Sequence, residues 1–158
     1  VAYDDVTGPL REAGIQFKIK PHAEVAHTSA VAAEHRGIRI SQIVKCMVAR
    51  SEQGDLCVAL LPGDRKLKLR KVRKVIGSPL ALVDPEELTN EMGLTVGAIS
   101  PLQLVGRARI FMDPTVLEED LVDISSGDLR AGIELSSSEL QAVLDAEIFD
   151  LVSSRTQA

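Results

Sequence analysis

The sequence predicts an α+β fold, and three observations carry that reading. A β-hairpin is written between Val44 and Leu61, several helices carry their own start and stop signals, and the two kinds of element mix without a βαβ rhythm. The elements follow in order. Val6, Leu10 and Ala13 sit at helical spacing, and Gly14 suits the left-handed position that ends a helix. Ile15 to Lys20 alternates apolar and polar residues, the pattern of a half-buried strand. Thr28 caps a short helix through His35, stopped by Gly37. Val44–Arg50 and Leu56–Leu61 form the hairpin, turning at Ser51-Glu52-Gln53-Gly54-Asp55. On its first strand Lys45, Met47 and Ala49 share one face, and Val44, Cys46 and Val48 the other.

Leu69, Val72, Val75 and Ile76 make an apolar stripe at helical spacing, ended by Gly77 and Pro79. Leu80–Val83 reads as a strand. Asp84 as cap, Pro85 at the first helical position and Glu87 as the far half of a capping box then start a helix that Gly93 ends. Arg109–Met112, Leu121–Ser125 and Gly132–Leu135 read as strands. Ser136 with Glu139 repeats the capping-box pattern before a last helix through Leu144. With 158 residues and 45% apolar content, one domain over 1–158 with a core of its own is expected. The chain starts at Val1 rather than Met, so a trimmed chain or a module of a longer protein is expected. No apolar run reaches the roughly 18 residues of a membrane helix, and the first residues lack signal-peptide character. A turn near Gln53-Gly54 pairs Cys46 with about Leu60, not with Cys57, so free thiols in a reducing cytoplasm are expected.

Charge is unevenly spread. Seven of the ten residues from Arg65 to Lys74 are basic: Arg65, Lys66, Lys68, Arg70, Lys71, Arg73 and Lys74. Without them the chain keeps 11 basic residues against 23 acidic ones, and from Asp113 to Asp150 eleven acids face the single Arg130. A molecule polarised in this way can hold a polyanion on one face and repel it elsewhere. Scarce aromatics (Tyr3, Phe17, Phe111 and Phe149, no Trp) argue against base stacking, so a nucleic acid held by its phosphates fits better than a sequence-read single strand.

Two features carry chemistry. Lys45 interrupts the apolar run Ile43–Ala49, and burying an ammonium without a partner costs several kcal/mol or more. An edge lysine whose stem snorkels to water is the plain alternative. Gly97-Ala98-Ile99-Ser100-Pro101 is a turn inside an apolar segment, able to offer backbone N–H groups to a ligand or to serve only as a kink. His22, His27 and His35 lack metal-ligand spacing and read as surface or capping residues. No Gly-x-Ser-x-Gly elbow occurs, and Cys46 reads as a small core residue. The acidic runs Glu86-Glu87 and Glu118-Glu119-Asp120 fall at helix ends, where solvated carboxylates belong. No metal or other cofactor is expected.

Taken in order, Thr28, Val44-Lys45-Cys46-Met47-Val48, Leu60-Leu61-Pro62-Gly63-Asp64, Gly97–Pro101, Met112-Asp113, Ser125-Ser126-Gly127 and Ile133-Glu134-Leu135 resemble the YbaK family of aminoacyl-tRNA deacylases. That family is also found as the editing insertion of bacterial prolyl-tRNA synthetases. The resemblance runs roughly from Leu10 to Val152. It implies a mixed, largely antiparallel, barrel-like sheet surrounded by helices. It also implies a trans-editing hydrolase that clears a small amino acid (the Ala, Cys, Ser, Thr and Pro class) from mischarged tRNA in the cytoplasm, with an aminoacyl-tRNA synthetase as a further partner. In that picture Lys45 is catalytic, neutralising the terminal phosphate or the carbonyl oxygen. Gly97, Ala98, Ile99, Ser100 and Pro101 form the substrate loop, and Met47 with Ile99 sets side-chain size. Thr28 and Ser125 serve the amino group, the ribose or the attacking water, and the Arg65–Lys74 cations hold tRNA. Three positions depart from the family pattern: Gln103 where a glycine is usual, Gly132 where a polar residue is common, and Cys46 where a threonine follows the lysine. A non-catalytic binding or sensor module for an aminoacyl or tRNA ligand, in a larger protein, is the alternative.

Overall fold

The computed structural model describes residues 6–154, so the ends of the span expected as one domain, Tyr3 among them, lie outside the described residues. The described chain runs α1 (Gly8–Glu12), β1 (Phe17–Pro21), α2 (Ser29–Arg36), β2 (Val44–Ser51), β3 (Leu56–Pro62), α3 (Leu69–Ile76) and β4 (Leu80–Leu82). It continues with α4 (Pro85–Asn90), β5 (Arg109–Met112), β6 (Leu121–Ser125), β7 (Ala131–Ser136), α5 (Ser137–Leu144) and β8 (Glu147–Ile148). Short 3₁₀ turns occupy Ile40–Gln42, Pro101–Leu104 and Pro114–Glu118.

Two sheets form. One has the order β1-β7-β6 and is antiparallel throughout; the other has the order β4-β2-β3-β5-β8. In the second sheet β2 pairs antiparallel with β3 and β4, whereas β3–β5 and β5–β8 are parallel. The hairpin register places Cys46 opposite Leu60 and Ala49 opposite Cys57, and both thiols are free. The expected barrel does not close among the described residues. The sheets meet edge to edge only at a parallel bridge, Ile43 to Asp123, because β4 covers just Ala49–Ser51 of β2.

Alternation along the strands builds the core. Val44, Val48, Val58, Leu60, Ile110 and Met112 point one way and pack on Ile124, Ile133 and Leu135 of the three-stranded sheet. Ala49, Cys57, Ala59 and Phe111 point the other way, onto Val72 of α3 and onto Leu151. The larger sheet therefore has a buried layer on each face. A third, smaller cluster of Ala26, Ala32, Ala33 and Ile43 seats α2.

The helix caps are local. Thr28 Oγ1 accepts from the Val31 amide and Gly37 ends α2 at φ 67°, as the spacing predicts. Asp84 caps α4 through the Glu86 amide, but Glu87 does not close the predicted box. Its carboxylate pairs instead with Arg50 at 2.7 Å, a charged partner on the neighbouring strand. Ser136 caps α5 through the Glu139 amide. The strand expected at Ile15–Lys20 runs from Phe17 to Pro21, where a proline without an N–H is tolerated because β1 is an edge strand.

Candidate active site

An incomplete strand edge creates the cleft. In a strand, the N–H and C=O of one residue point to the same side and alternate along the chain. The Ile43 carbonyl accepts from Gly63 on the β3 side, and the Val48 carbonyl accepts from Val83 on the opposite side. Cys46 therefore turns its backbone toward the edge that β4 is too short to cover. A cleft of about 300 Å³ opens there, lined by β2 from Val44 to Val48, by His27, Thr28 and Ala32 at the start of α2, and by Leu82, Val83, Val96, Gly97, Ile99 and Ser125.

Five side chains define its chemistry. Lys45 lines the cleft, and its Nζ donates to the Arg65 carbonyl. Burial lowers the Lys45 pKa, while the nearby Asp64 carboxylate pulls it back up and Lys66 adds to the lowering. An ammonium has three donors, so two stay open to other acceptors. Burial pushes the Cys46 thiol up to about 12, which leaves it an inert apolar wall at neutral pH. Arg36 reaches the cleft from α2, with its guanidinium locked 2.6 Å from Asp123 and donating to the Ala131 carbonyl. Both side chains of that pair are almost fully buried, and Asp123 Oδ2 has no hydrogen-bond partner among the described residues. Burial raises the Asp123 pKa, opposed by Arg36. Thr28 and Ser125 supply hydroxyls.

The glycine-to-proline turn splits by role. Gly97 has φ +90°, and a side chain there would press on the His27 carbonyl and on Leu129, so the close approach of two walls selects glycine. The Ala98 amide donates to Thr95, and the Ser100 amide to Gln103 Oε1 at 2.9 Å. Ser100 Oγ in turn accepts from the Leu102 amide. The fully buried Ser100 and the buried Pro101 thus build the turn, and the amides left without an internal partner among the described residues are those of Gly97 and Ile99. Gln103, one of the three departures, is the residue that locks this turn.

Gly132, the second departure, also has a reason. A Cβ there would collide with the Asp123 carboxylate and lie 2.5 Å from Arg36 Cζ. Met47 shares the cleft lining, yet it packs into the layer beneath α3, opposite the face that holds Ile99. Of the basic segment, Lys66, Arg70, Arg73 and Lys74 are exposed and Arg65, Lys68 and Lys71 are half-buried. Lys71 is held by Asp150 at 2.7 Å and by the Val152 carbonyl, Arg65 by the Ser153 carbonyl and Arg73 by the Leu80 carbonyl. His27 and Arg36 escaped the sequence reading as cleft residues. Position next to the Thr28 cap was the only available signal for His27, and Arg36 showed only as the last residue of an amphipathic helix.

Residues 23–143 match the profile of the aminoacyl-tRNA editing domain. The uncharacterised protein YwhH of Bacillus subtilis (strain 168) is 27% identical over 109 residues, 69% of each chain. Proline–tRNA ligase of Chromobacterium violaceum is 32% identical over 99 residues, and the match spans 61% of this chain and 17% of that ligase. Among solved structures, a protein provisionally described as a trans-editing enzyme for prolyl tRNA synthetase superposes with a TM-score of 0.85 at 28% identity. That superposition covers 97% of this chain and 98% of the other.

Proposed function

This chain belongs to the aminoacyl-tRNA editing domain family, and from that premise we propose that it acts in trans, hydrolysing the ester between a small amino acid and the terminal ribose of a mischarged tRNA. The observation that carries the reading is that Lys45 and the Gly97–Ile99 turn line one cleft. The free amides of Gly97 and Ile99 suit the acyl group and the oxygen that gains charge as water adds to its carbonyl. Each such donor is worth about 3–4 kcal/mol of barrier. Lys45 lines the same cleft from the strand face opposite Ile99, a cation whose Nζ donates to the Arg65 carbonyl and keeps donors for the terminal phosphate. Thr28 and Ser125 offer hydroxyls to the α-amino group, the ribose or the water. The wall formed by Val44, Cys46, Val83 and Ile99 is apolar, which suits a small uncharged side chain. Size is a weak criterion, since one methylene is worth only about 1–3 kcal/mol, and so a separate check after charging is useful. Lys45 touches the carbonyl at the start of the basic segment, so a tRNA end in the cleft has a cationic track leading away from it. Such work belongs in the cytoplasm, alongside a synthetase that supplies the mischarged tRNA.

A non-catalytic reading draws on one observation, that no aspartate or glutamate among the described residues lines the cleft. A panel of tRNAs charged with Ala, Cys, Ser, Thr and Pro separates the two. The expected result is release of at least one amino acid by the wild-type protein, lost in Lys45→Ala. Binding of charged tRNA without release from any member would make the protein a sensor.

A further inference from the structure

An open backbone edge forms one wall of the cleft, and its unpaired groups point to one kind of occupant. On β2 the Ile43 carbonyl accepts from the Gly63 amide, so Lys45, Met47 and Ala49, which follow Ile43 at steps of two, turn their backbone toward β3. The residues between them turn the other way. Cys46 lies opposite Leu60, whose carbonyl accepts from the Asp113 amide on the β5 side, so that pair exchanges no hydrogen bond. The edge is closed at one end by the Ile43–Asp123 bridge and at the other by the Val83 amide, which donates to the Val48 carbonyl. Between those ends the Cys46 N–H and C=O have no internal partner among the described residues, and Cys46 is a half-buried residue of the cleft lining.

A backbone donor and acceptor half withdrawn from water favour any ligand that pairs with both. An aminoacyl ester has the matching pattern. It carries an N–H donor and a C=O acceptor on either side of one Cα, the spacing of a strand residue, and in an antiparallel ladder two facing residues exchange both bonds. The charge of the lining agrees. No aspartate or glutamate among the described residues lines the cleft, so an α-ammonium there is met by carbonyl or hydroxyl oxygens rather than by a carboxylate.

We infer that the aminoacyl group docks as a one-residue strand on the open edge of β2, its α-ammonium donating to the Cys46 carbonyl and its ester carbonyl accepting from the Cys46 N–H. The inference rests on the deacylase reading and deepens it by naming the substrate class. Antiparallel pairing sends the ribose toward the Ile43 end of the strand, where Gly63 and the basic segment after it join β2. The same pairing sends anything attached to the nitrogen toward Val48, where β4 and Val83 close the edge. The substrates are therefore esters of amino acids with a free α-amino group, and N-acylated or peptidyl esters are excluded. The ester oxygen keeps a second lone pair for the Gly97 or Ile99 amide, and Thr28 and Ser125 are left to the ribose and the water.

The test compares single-turnover release from the charged tRNA that the wild-type protein clears fastest, in three forms. These carry the amino acid itself, its N-acetyl derivative and its α-hydroxy counterpart. The N-acetyl form should react at least about 10²-fold more slowly and the hydroxy form about 10–10²-fold more slowly. Thr28→Val and Ser125→Ala, whatever their absolute rates, should keep both ratios, because the acceptor is backbone. Amide hydrogen exchange read by NMR observes the edge itself. In the free protein the Cys46 amide should exchange faster than the paired Lys45 and Met47 amides. A saturating amide-linked analogue, the same aminoacyl group on 3′-amino-3′-deoxyadenosine, should slow Cys46 by at least about 10-fold and leave Met47 unchanged. Equal release of the N-acetyl form, ratios that collapse in Thr28→Val or Ser125→Ala, or a Cys46 amide left unprotected would overturn the docking mode and leave the deacylase reading standing. A wild-type protein that releases nothing from any charged tRNA overturns both.

Discussion

Lys45 is balanced between burial, which favours its neutral form, and Asp64, which favours its charge. Burial wins, so its pKa lies below the usual 10.5. The sign for stability follows. Between the lowered native value and the unfolded one the native state binds fewer protons, so the Lys45 contribution to stability rises with pH through that window. NMR titration of the Lys45 side chain should give a midpoint below 10.5. The stability of the wild type minus that of Lys45→Met should increase as pH climbs toward 10.5. A midpoint at or above the ordinary lysine value would show that Asp64, not burial, governs the site. The same residue illustrates how far parity carries. Its place on the Met47–Ala49 face follows from strand alternation alone, but the Arg65 carbonyl that accepts its hydrogen bond lies one hairpin away.

At the scale of elements, α2 is bound to the three-stranded sheet through the buried Arg36, which pairs with Asp123 of β6 and donates to the Ala131 carbonyl of β7. Arg36, at the last turn of the helix, meets Asp123 of β6 across the backbone of Gly132 in β7. Three elements therefore share one point, and no side chain fits at residue 132. Neither charged group can swing aside, because each is enclosed and paired. Gly132→Ala should destabilise the fold by about 1–3 kcal/mol, read as a lower urea midpoint with an unchanged slope. Wild-type stability in that variant would mean that the Arg36–Asp123 pair moves freely. The pairing matters to the site because the opposite end of α2 is capped by Thr28, which lines the cleft, and is preceded by His27, whose backbone lies against the Gly97 turn.

Across the whole molecule, charge is segregated along the chain, with cations in 65–74 and acids in 113–150, and the two segments meet at the Lys71–Asp150 pair. The structure reduces the number of cations available to a ligand, since Lys71 is spent on Asp150 and the C-terminal backbone. Lys66, Arg70 and Lys74 remain exposed and are the residues to test. Changing all three to Glu should weaken tRNA binding and flatten the plot of log affinity against log salt by about 2–3 units, at roughly 0.7–0.9 for each phosphate no longer neutralised. Equal slopes in filter-binding titrations would reduce the segment to a solvated helix face.

Local interactions were legible in the chain. Hairpin register, the face on which Lys45 lies, the Thr28, Asp84 and Ser136 caps and the stripe of α3 all depend on neighbours a few residues away, where spacing and side-chain chemistry suffice. Long-range geometry was not legible. Two sheets in place of a barrel, the parallel pairing of β5, the two-residue β8 and the reasons for Gln103 and Gly132 come from contacts between distant segments. The cleft belongs to this second class. It exists because β4 stops short along β2 and leaves a backbone edge uncovered, and only the folded packing of α2, β6 and the Gly97 turn around that gap brings His27, Lys45 and Ser125 together.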